Sequence, residues 1–292
     1  MKKHAYLIMA HNQFGILKKL VQKLDYKFND IYIHIDKKAG EFDFGELEEI
    51  VKYSSIIFLE RIPIVWAGES LIECELNLFK KAVPQKYQYY HLISGADFPI
   101  KTQKEIHDFF DAHDGKEFIE FWDIPISKYA YRIRYKYPLQ EKIGRYTYDP
   151  KTVILRVISK LLVFIQKIAG VDRIKAYSGE IKIGAQWVSI THSMACHLLE
   201  NERQIREFFM CGVAADELFV QSICWNSIFR NNIYIGKSTR LIDWIKGKPY
   251  VWLEKDFEDI KKSECLFVRK ISDKDGLVDK LYNYLCKKEE LE

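Results

Sequence analysis

An α/β fold built on an open parallel sheet is what this sequence predicts, and three observations carry that prediction. Short apolar runs recur at 5–10, 30–36, 56–59 and 89–95, each of strand length. Between them lie stretches whose apolar residues follow helical spacing, and strands alternating with helices build parallel sheets. Composition agrees with a buried core: 48% of the 292 residues are hydrophobic and 29% charged, while 14 Gly and 7 Pro are too few for a collagen-like, linker-like or disordered chain.

Residues 5–10 read as the first strand. Phe14, Leu17, Leu20, Val21 and Leu24 then recur on one helical face, and 30–36 runs apolar again as the second strand. Residues 56–59 repeat the strand signature, 70–82 carry Leu71, Cys74 and Leu78 at helical spacing, and 89–95 is a buried strand closed by a glycine turn. Sheets of this kind bind ligands beyond the carboxyl ends of their strands, which here carry His11, Asp36 and the turn from Ser94 to Asp97. Further on, 184–190 reads as a strand, 193–200 and 216–226 as helices, and a charged amphipathic tail helix starts at about 273. No repeat, low-complexity stretch or linker divides the chain, which is read as one domain over 1–292.

The stretch 128–175 stands apart in charge. It holds twelve basic residues against three acidic ones, a net of +9, which leaves −5 for the rest of a chain whose total is +4. Inside it, 153–168 places Arg156, Ser159, Lys160, Gln166 and Lys167 on one helical stripe with apolar residues around the rest. Two readings stand: a helix packed on the core with a solvated cationic stripe, or an interfacial helix resting on an anionic membrane. Tyr129, Tyr131, Tyr135, Tyr137, Tyr146 and Tyr148 interleave with these cations as stacking platforms for nucleic acid do. The acidic remainder of the chain and the lack of a nucleic-acid motif argue against such a partner.

No uncharged apolar run reaches the roughly 18 residues of a membrane-spanning helix. His11 and Asn12 interrupt the N-terminal run too early for a secretory signal, so the expected location is the cytoplasm, with peripheral contact to the inner face of the membrane. The cysteines, Cys74, Cys196, Cys211, Cys224, Cys265 and Cys286, are spread without a C-x-x-C and read as small core residues rather than as zinc ligands or disulfides.

Neither G-x-G-x-x-G nor a P-loop occurs, so a bound nucleotide is held by other means. The only Asp-x-Asp, at 273–275, precedes the tail helix and reads as a cap rather than as the carboxylate pair that holds a divalent ion on a diphosphate. Arg240, Lys248, Arg269 and Lys270 flank the apolar runs 241–242 and 266–268, and are either fixed cations for a diphosphate or surface charges. Asp216 and Glu217 at a helix start are either caps favoured by the helix dipole or, where Glu217 faces a cleft, a catalytic carboxylate and its neighbour.

Together these segments resemble the core-2/I-branching glycosyltransferases, glycosyltransferase family 14. The resemblance rests on residues 4–38, on Val65-Trp66-Ala67-Gly68-Glu69-Ser70-Leu71, on Ser94-Gly95-Ala96-Asp97-Phe98-Pro99-Ile100-Lys101 as its most specific block, and on 184–191, 215–219 and 266–270, in that order and spacing. It implies a GT-A-like fold, a Rossmann-like mixed sheet flanked by helices. It also implies inverting transfer of a sugar, N-acetylglucosamine above all, from a UDP-sugar to a hydroxyl of a glycan or lipid-linked oligosaccharide, with no metal or other cofactor.

In the terms of that resemblance, His11, Asp36 and Trp66 form the uridine pocket, while Ser94, Asp97, Glu120 and Trp187 meet donor or acceptor. Glu217 is the catalytic base, and Lys270 binds the diphosphate with Arg240, Lys248 or Arg269 as the second cation. The implied setting is a bacterial-type cytoplasmic enzyme of surface-polysaccharide synthesis. UDP-xylose, UDP-glucose and UDP-galactose are the alternative donors, and a non-catalytic membrane-surface or glycan-binding protein is the alternative of another class.

Overall fold

The computed structural model describes residues 2–145, 147–244 and 249–291. It opens with β1 (His4–Ala10), α1 (Phe14–Leu24) and β2 (Asn29–Ile35), then α2 (Gly45–Ile50) and β3 (Ser55–Phe58), then α3 (Glu69–Ala82) and β4 (Tyr89–Ser94). There follow β5 (Phe98–Pro99), α4 (Gln103–Ala112), α5 (Tyr131–Arg134), α6 (Gln140–Ile143), α7 (Pro150–Ile168), β6 (Ser189–Thr191), α8 (His192–Glu200) and α9 (Glu202–Phe208). The chain closes through α10 (Phe219–Trp225), β7 (Arg240–Ile242), α11 (Phe257–Lys262), β8 (Phe267–Arg269) and α12 (Leu277–Glu289).

The main sheet runs β3-β2-β1-β4-β6, parallel throughout except for antiparallel β6, and β5-β8-β7 form a second, smaller sheet. Alternation along β1 sends Ala5, Leu7 and Met9 into one core and Tyr6, Ile8 and Ala10 into the other. Helices α3 and α8 cover the first face, and α1, α4 and α12 the second. The fold is therefore α/β, a mixed sheet flanked by helices, and its strands read as unbroken apolar runs because neither face meets water.

Local chemistry starts and stops these elements. Thr102 opens α4 with a capping box, its hydroxyl accepting from the Glu105 amide at 3.2 Å while Glu105 accepts from the Thr102 amide at 2.9 Å. Asp275 Oδ1 accepts from the Leu277 amide at the start of α12, the capping role expected of that Asp-x-Asp triplet. The expected strand at 184–190 is corrected: only Ser189–Thr191 forms a strand, preceded by the Val188 carbonyl, which accepts from the Leu92 amide at 2.9 Å. The expected helix at 216–226 is corrected as well, into a 3₁₀ turn Ala215–Glu217, a break at Leu218, and α10.

Beneath the end of the sheet lies a polar network that explains one further displacement. Arg240 Nη2 donates to Ser189 Oγ at 3.0 Å, Ser189 Oγ bonds His91 Nδ1 at 2.8 Å, and His91 Nε2 faces His4 Nδ1 at 3.1 Å. His4 stacks on His107, whose Nε2 meets Asn29 Oδ1 at 2.8 Å. Burial holds His4, His91 and His107 below the ordinary histidine range, which favours their neutral forms.

Helix α7 departs from the reading that packs it on the core. Asp149 caps it, Oδ1 accepting from the Thr152 amide at 2.9 Å, and Pro150 occupies its first turn. None of its residues is buried. Leu155, Ser159, Leu162 and Gln166 form the half-buried side against the body, where Gln166 exchanges two hydrogen bonds with the Lys136 backbone, at 2.8 and 2.9 Å. The apolar side points outward. Among the described residues, no helix is long and apolar enough to cross a membrane.

Candidate active site

Parallel pairing brings the carboxyl ends of β1, β2 and β4 to one side, and two backbone bonds hold them level. The Asp36 amide donates to the Ala10 carbonyl at 2.8 Å, and the Gly95 amide to the Met9 carbonyl at 2.9 Å. Gly95 lies so close to β1 that a Cβ there would stand 2.7 Å from the Ala10 methyl. Asp36 is buried, with Oδ1 accepting from the amides of Lys38 at 2.9 Å and Ile64 at 3.2 Å. Arg61 clamps the loop behind it, donating to the carbonyls of Asp36 at 2.9 Å and Gly40 at 2.7 Å. His11 stands at the rim beside them.

The small sheet carries cations onto this ledge. Because β5 pairs with β8, the turn after β4 is held against the end of β8, and the Ile271 amide donates to the Ala96 carbonyl at 3.1 Å. Asp97 has both oxygens occupied: Oδ2 accepts from the Ser94 amide at 2.9 Å and Oδ1 from Arg269 Nη1 at 2.6 Å. The Arg269 guanidinium also lies 4.2 Å from the centre of the Trp187 ring. Lys270 follows directly, and its ammonium is held below the ordinary lysine range by burial, then by Arg269 and Arg145. Partial desolvation and Lys270 likewise hold His11 down. Arg145 reaches in from the basic segment, its guanidinium 5.9 Å from the centre of the exposed Trp66 ring.

Glu217 ends the 3₁₀ turn Ala215–Glu217. Arg132 Nη1 donates to its Oε2 at 2.5 Å and to the Ala214 carbonyl at 3.4 Å, which fixes the carboxylate from one side. Ala214, in the left-handed conformation at φ 49°, donates its amide to the Ala67 carbonyl at 3.0 Å and so ties this turn to the Trp66 loop. The Gly184 amide donates to the Glu217 carbonyl at 3.0 Å. At Gly184 a Cβ would fall 1.7 Å from the Glu120 carbonyl oxygen, so only glycine allows that approach. Glu120 Oε1 accepts from Trp122 Nε1 at 3.2 Å. Gly184 and Trp187 are three positions apart, at most about 10 Å of chain, so the backbone of the Glu217 turn is tied to the segment that carries Trp187.

Behind Glu217 two carboxyl groups are buried without charge partners. Glu75 Oε1 accepts from Gln186 Nε2 at 2.7 Å, while Glu75 Oε2 and Asp216 Oδ1 have no hydrogen-bond partner. Burial, then the neighbouring Glu217, pushes Asp216 up to about 7 from its ordinary 3.8. The folded chain therefore holds this proton more tightly than the unfolded one, and the stability it contributes is full below 3.8 and lost as pH rises to about 7. Asp216→Asn removes that loss. Its melting temperature relative to the parent is expected to rise steadily from pH 4 to pH 7, by the equivalent of at most about 4 kcal/mol. A difference that stays flat across this range in thermal melts refutes the buried, protonated carboxyl.

The structure thus gathers His11, Asp36, Ser94, Asp97, Trp187, Arg269 and Lys270 on one ledge, with Trp66 linked through Arg145. It does not bring Arg240 to the surface. Expected among the diphosphate cations, Arg240 is buried, bonded to Ser189 and facing the Leu92 carbonyl at 3.4 Å, and burial draws it down to about 10. Lys248 lies outside the described residues. Sequence reasoning missed Arg132, Arg145 and Glu75. The first two were visible only as members of the basic stretch, and a glutamate within an apolar helical face at 75 was the one local sign of the third. Among the described residues no group of three His, Cys, Asp or Glu side chains gathers as a metal site would.

Comparison with known proteins gives this cleft a context. The Core-2/I-Branching enzyme family matches residues 4–264. The probable beta-1,3-galactosyl-O-glycosyl-glycoprotein beta-1,6-N-acetylglucosaminyltransferase 7 of Sus scrofa is 30% identical over 106 residues, 35% of this chain and 25% of that protein. Xylosyltransferase 2 of Rattus norvegicus is 20% identical over 278 residues, 87% of this chain and 30% of that protein. The chain spans less than a third of the length of these two relatives. The crystal structure of apo mouse xyloside xylosyltransferase 1 aligns with 92% of this chain and 97% of its own at 11% identity and a TM-score of 0.40. With the family match running through nearly the whole chain, from the first strand to the approach to β8, the chain belongs to the Core-2/I-Branching enzyme family.

Proposed function

We propose that this chain is a GT-A-like glycosyltransferase that moves a sugar, N-acetylglucosamine, from a UDP-sugar to a glycan hydroxyl with inversion and without a metal ion. The observation that carries the reading is the crowding of Lys270, Arg269 and Arg145 at the carboxyl ends of the parallel strands. Crowded cations destabilise a fold unless an anion joins them, and Lys270 has no carboxylate within ion-pair distance among the described residues. A nucleoside diphosphate is an anion of the required charge, and Asp36, His11 and Trp66 beside it supply an acceptor, a ring nitrogen and a stacking face for uridine.

The chemistry follows from Glu217 and these cations. Inversion is one in-line displacement: a base removes the proton of the acceptor hydroxyl as its oxygen attacks the anomeric carbon, and the bond to the diphosphate breaks on the opposite face. Glu217 is the base, held at Oε2 by Arg132 and leaving Oε1 for the hydroxyl. Lys270 and Arg269 receive the charge of departing UDP, and Asp97 keeps the Arg269 guanidinium in place. The relatives named for N-acetylglucosaminyl transfer support that donor. The long alignment with a xylosyltransferase favours a xylosyl donor as the second reading. Six free cysteines fit a reducing compartment, which is the reason for assigning the reaction to the cytoplasm.

Thermal melts with UDP in EDTA test the proposal. Ligand bound only by the folded state adds about 2.7 kcal/mol at a hundredfold excess over Kd, so saturating UDP is expected to raise the melting temperature by several degrees without metal. A panel of UDP-sugars ranks the donors. No shift with UDP, or a shift that appears only after manganese is added, overturns the site.

A further inference from the structure

The geometry points to α7 as a docking element that lies in the plane of an anionic bilayer, and this does not depend on the reaction proposed above. Ile154, Val157, Leu161, Phe164, Ile165 and Ile168 are each between 52 and 72% exposed. At about 100° per residue these six fall within an arc of about 100°, directly opposite the side that rests on the protein. An unbroken apolar stripe on a helix that nothing covers is an interaction surface rather than a scatter of single exposed residues.

Charge identifies the occupant. Arg156, Lys160 and Lys167 line one flank of the stripe and Lys151 the other, and no acidic residue occurs between Pro150 and Ile168. The surrounding stretch 128–175 adds up to +9, whereas the rest of the chain is negative. A second copy packed stripe to stripe would set these cations against their own equivalents, because a two-fold contact uses the same patch twice. Nucleic acid has no use for six exposed aliphatic and aromatic side chains at the centre of its footprint. A bilayer with acidic headgroups satisfies both halves: acyl chains receive the stripe and headgroup phosphates or carboxylates receive the flanks.

The helix is also suited to lying rather than spanning, since Lys151, Arg156, Lys160 and Lys167 leave it too polar to cross. Tyr148, immediately before its cap, is 88% exposed, where an aromatic ring meets the headgroup level. Arg145, five residues before the helix begins, leans toward the Trp66 ring at the candidate cleft. Docking α7 therefore holds the Trp66 loop, which Arg145 joins to the start of the helix, near the bilayer surface.

Co-sedimentation with phosphatidylcholine vesicles, with and without phosphatidylglycerol, tests this on the full chain. The parent is expected to pellet with the anionic vesicles and to be released by salt. A Val157→Ser/Leu161→Ser/Ile165→Ser variant is expected to lose at least about tenfold in affinity per side chain withdrawn from lipid. An Arg156→Gln/Lys160→Gln/Lys167→Gln variant is expected to lose about fivefold per cation. Because the stripe faces solvent, the serine variant melts no lower than the parent. The inference is overturned by failure to bind either vesicle, by equal binding to neutral ones, by a fall in melting temperature of the serine variant, or by a dimer that the serine substitutions dissociate.

Discussion

Replacing Glu217 by glutamine is expected to lower the turnover of sugar transfer about 10²–10⁴-fold while leaving UDP affinity within a factor of about two, since general-base catalysis contributes in that range. Glutamine keeps the shape of the side chain and can still accept from Arg132 Nη1 through its carbonyl oxygen, so the turn from Ala214 to Glu217 is retained. What it loses is the negative charge and the lone pair that takes the hydroxyl proton. The neighbouring Asp216 reports on the fold at the same time. Part of its upward shift comes from Glu217, so removing that charge is expected to lower the pH at which the buried carboxyl titrates. Steady-state transfer assays with UDP binding measured in parallel separate chemistry from binding. A variant that keeps more than about a tenth of the parental turnover removes Glu217 from the role of base.

The parts of this molecule that could be read from sequence are those governed by local pattern. β1, α1, β2 and β4 announce themselves because apolar runs and helical spacing persist for six residues or more, and the carboxyl ends that carry His11, Asp36 and Ser94 follow from sheet geometry. β5, β7 and β8 have two or three residues each, too few for any period to show, yet their pairing is what lifts Arg269 and Lys270 onto the ledge. Residue roles set by distant partners were equally hidden. Asp216 looks like a solvated cap in its own window, and its burial arises from packing against α3, where Glu75 sits more than a hundred positions earlier. Arg132 pairs with Glu217 across 85 residues, and Arg240 is drawn under the sheet by Ser189 and His91. The apolar stripe of α7 was legible in sequence, but whether it faced the core or the solvent depended on tertiary contacts.

Lys270→Met is expected to separate stability from function in opposite directions. The ammonium sits among Arg269, Arg145 and His11, and its depressed pKa means that the folded protein disfavours its charge. An uncharged side chain of similar length relieves that repulsion, so the melting temperature of the ligand-free variant is expected to hold or rise. Transfer is expected to fall about 10²–10³-fold in kcat, the usual cost of removing one fixed group that stabilises charge developing in the transition state. At 4 Å and an effective dielectric of 20, one such cation interacts with a phosphate charge by about 4 kcal/mol, enough to account for a loss of that size. Arginine at the same position restores charge but not the compact ammonium, and is expected to recover only part of the rate. The same assay tests the metal-free reading: if fixed cations hold the diphosphate, parental activity is expected to survive EDTA. Activity that chelation abolishes and manganese restores, or a Lys270→Met variant that transfers at the parental rate, means that the diphosphate is held somewhere other than at the end of β8.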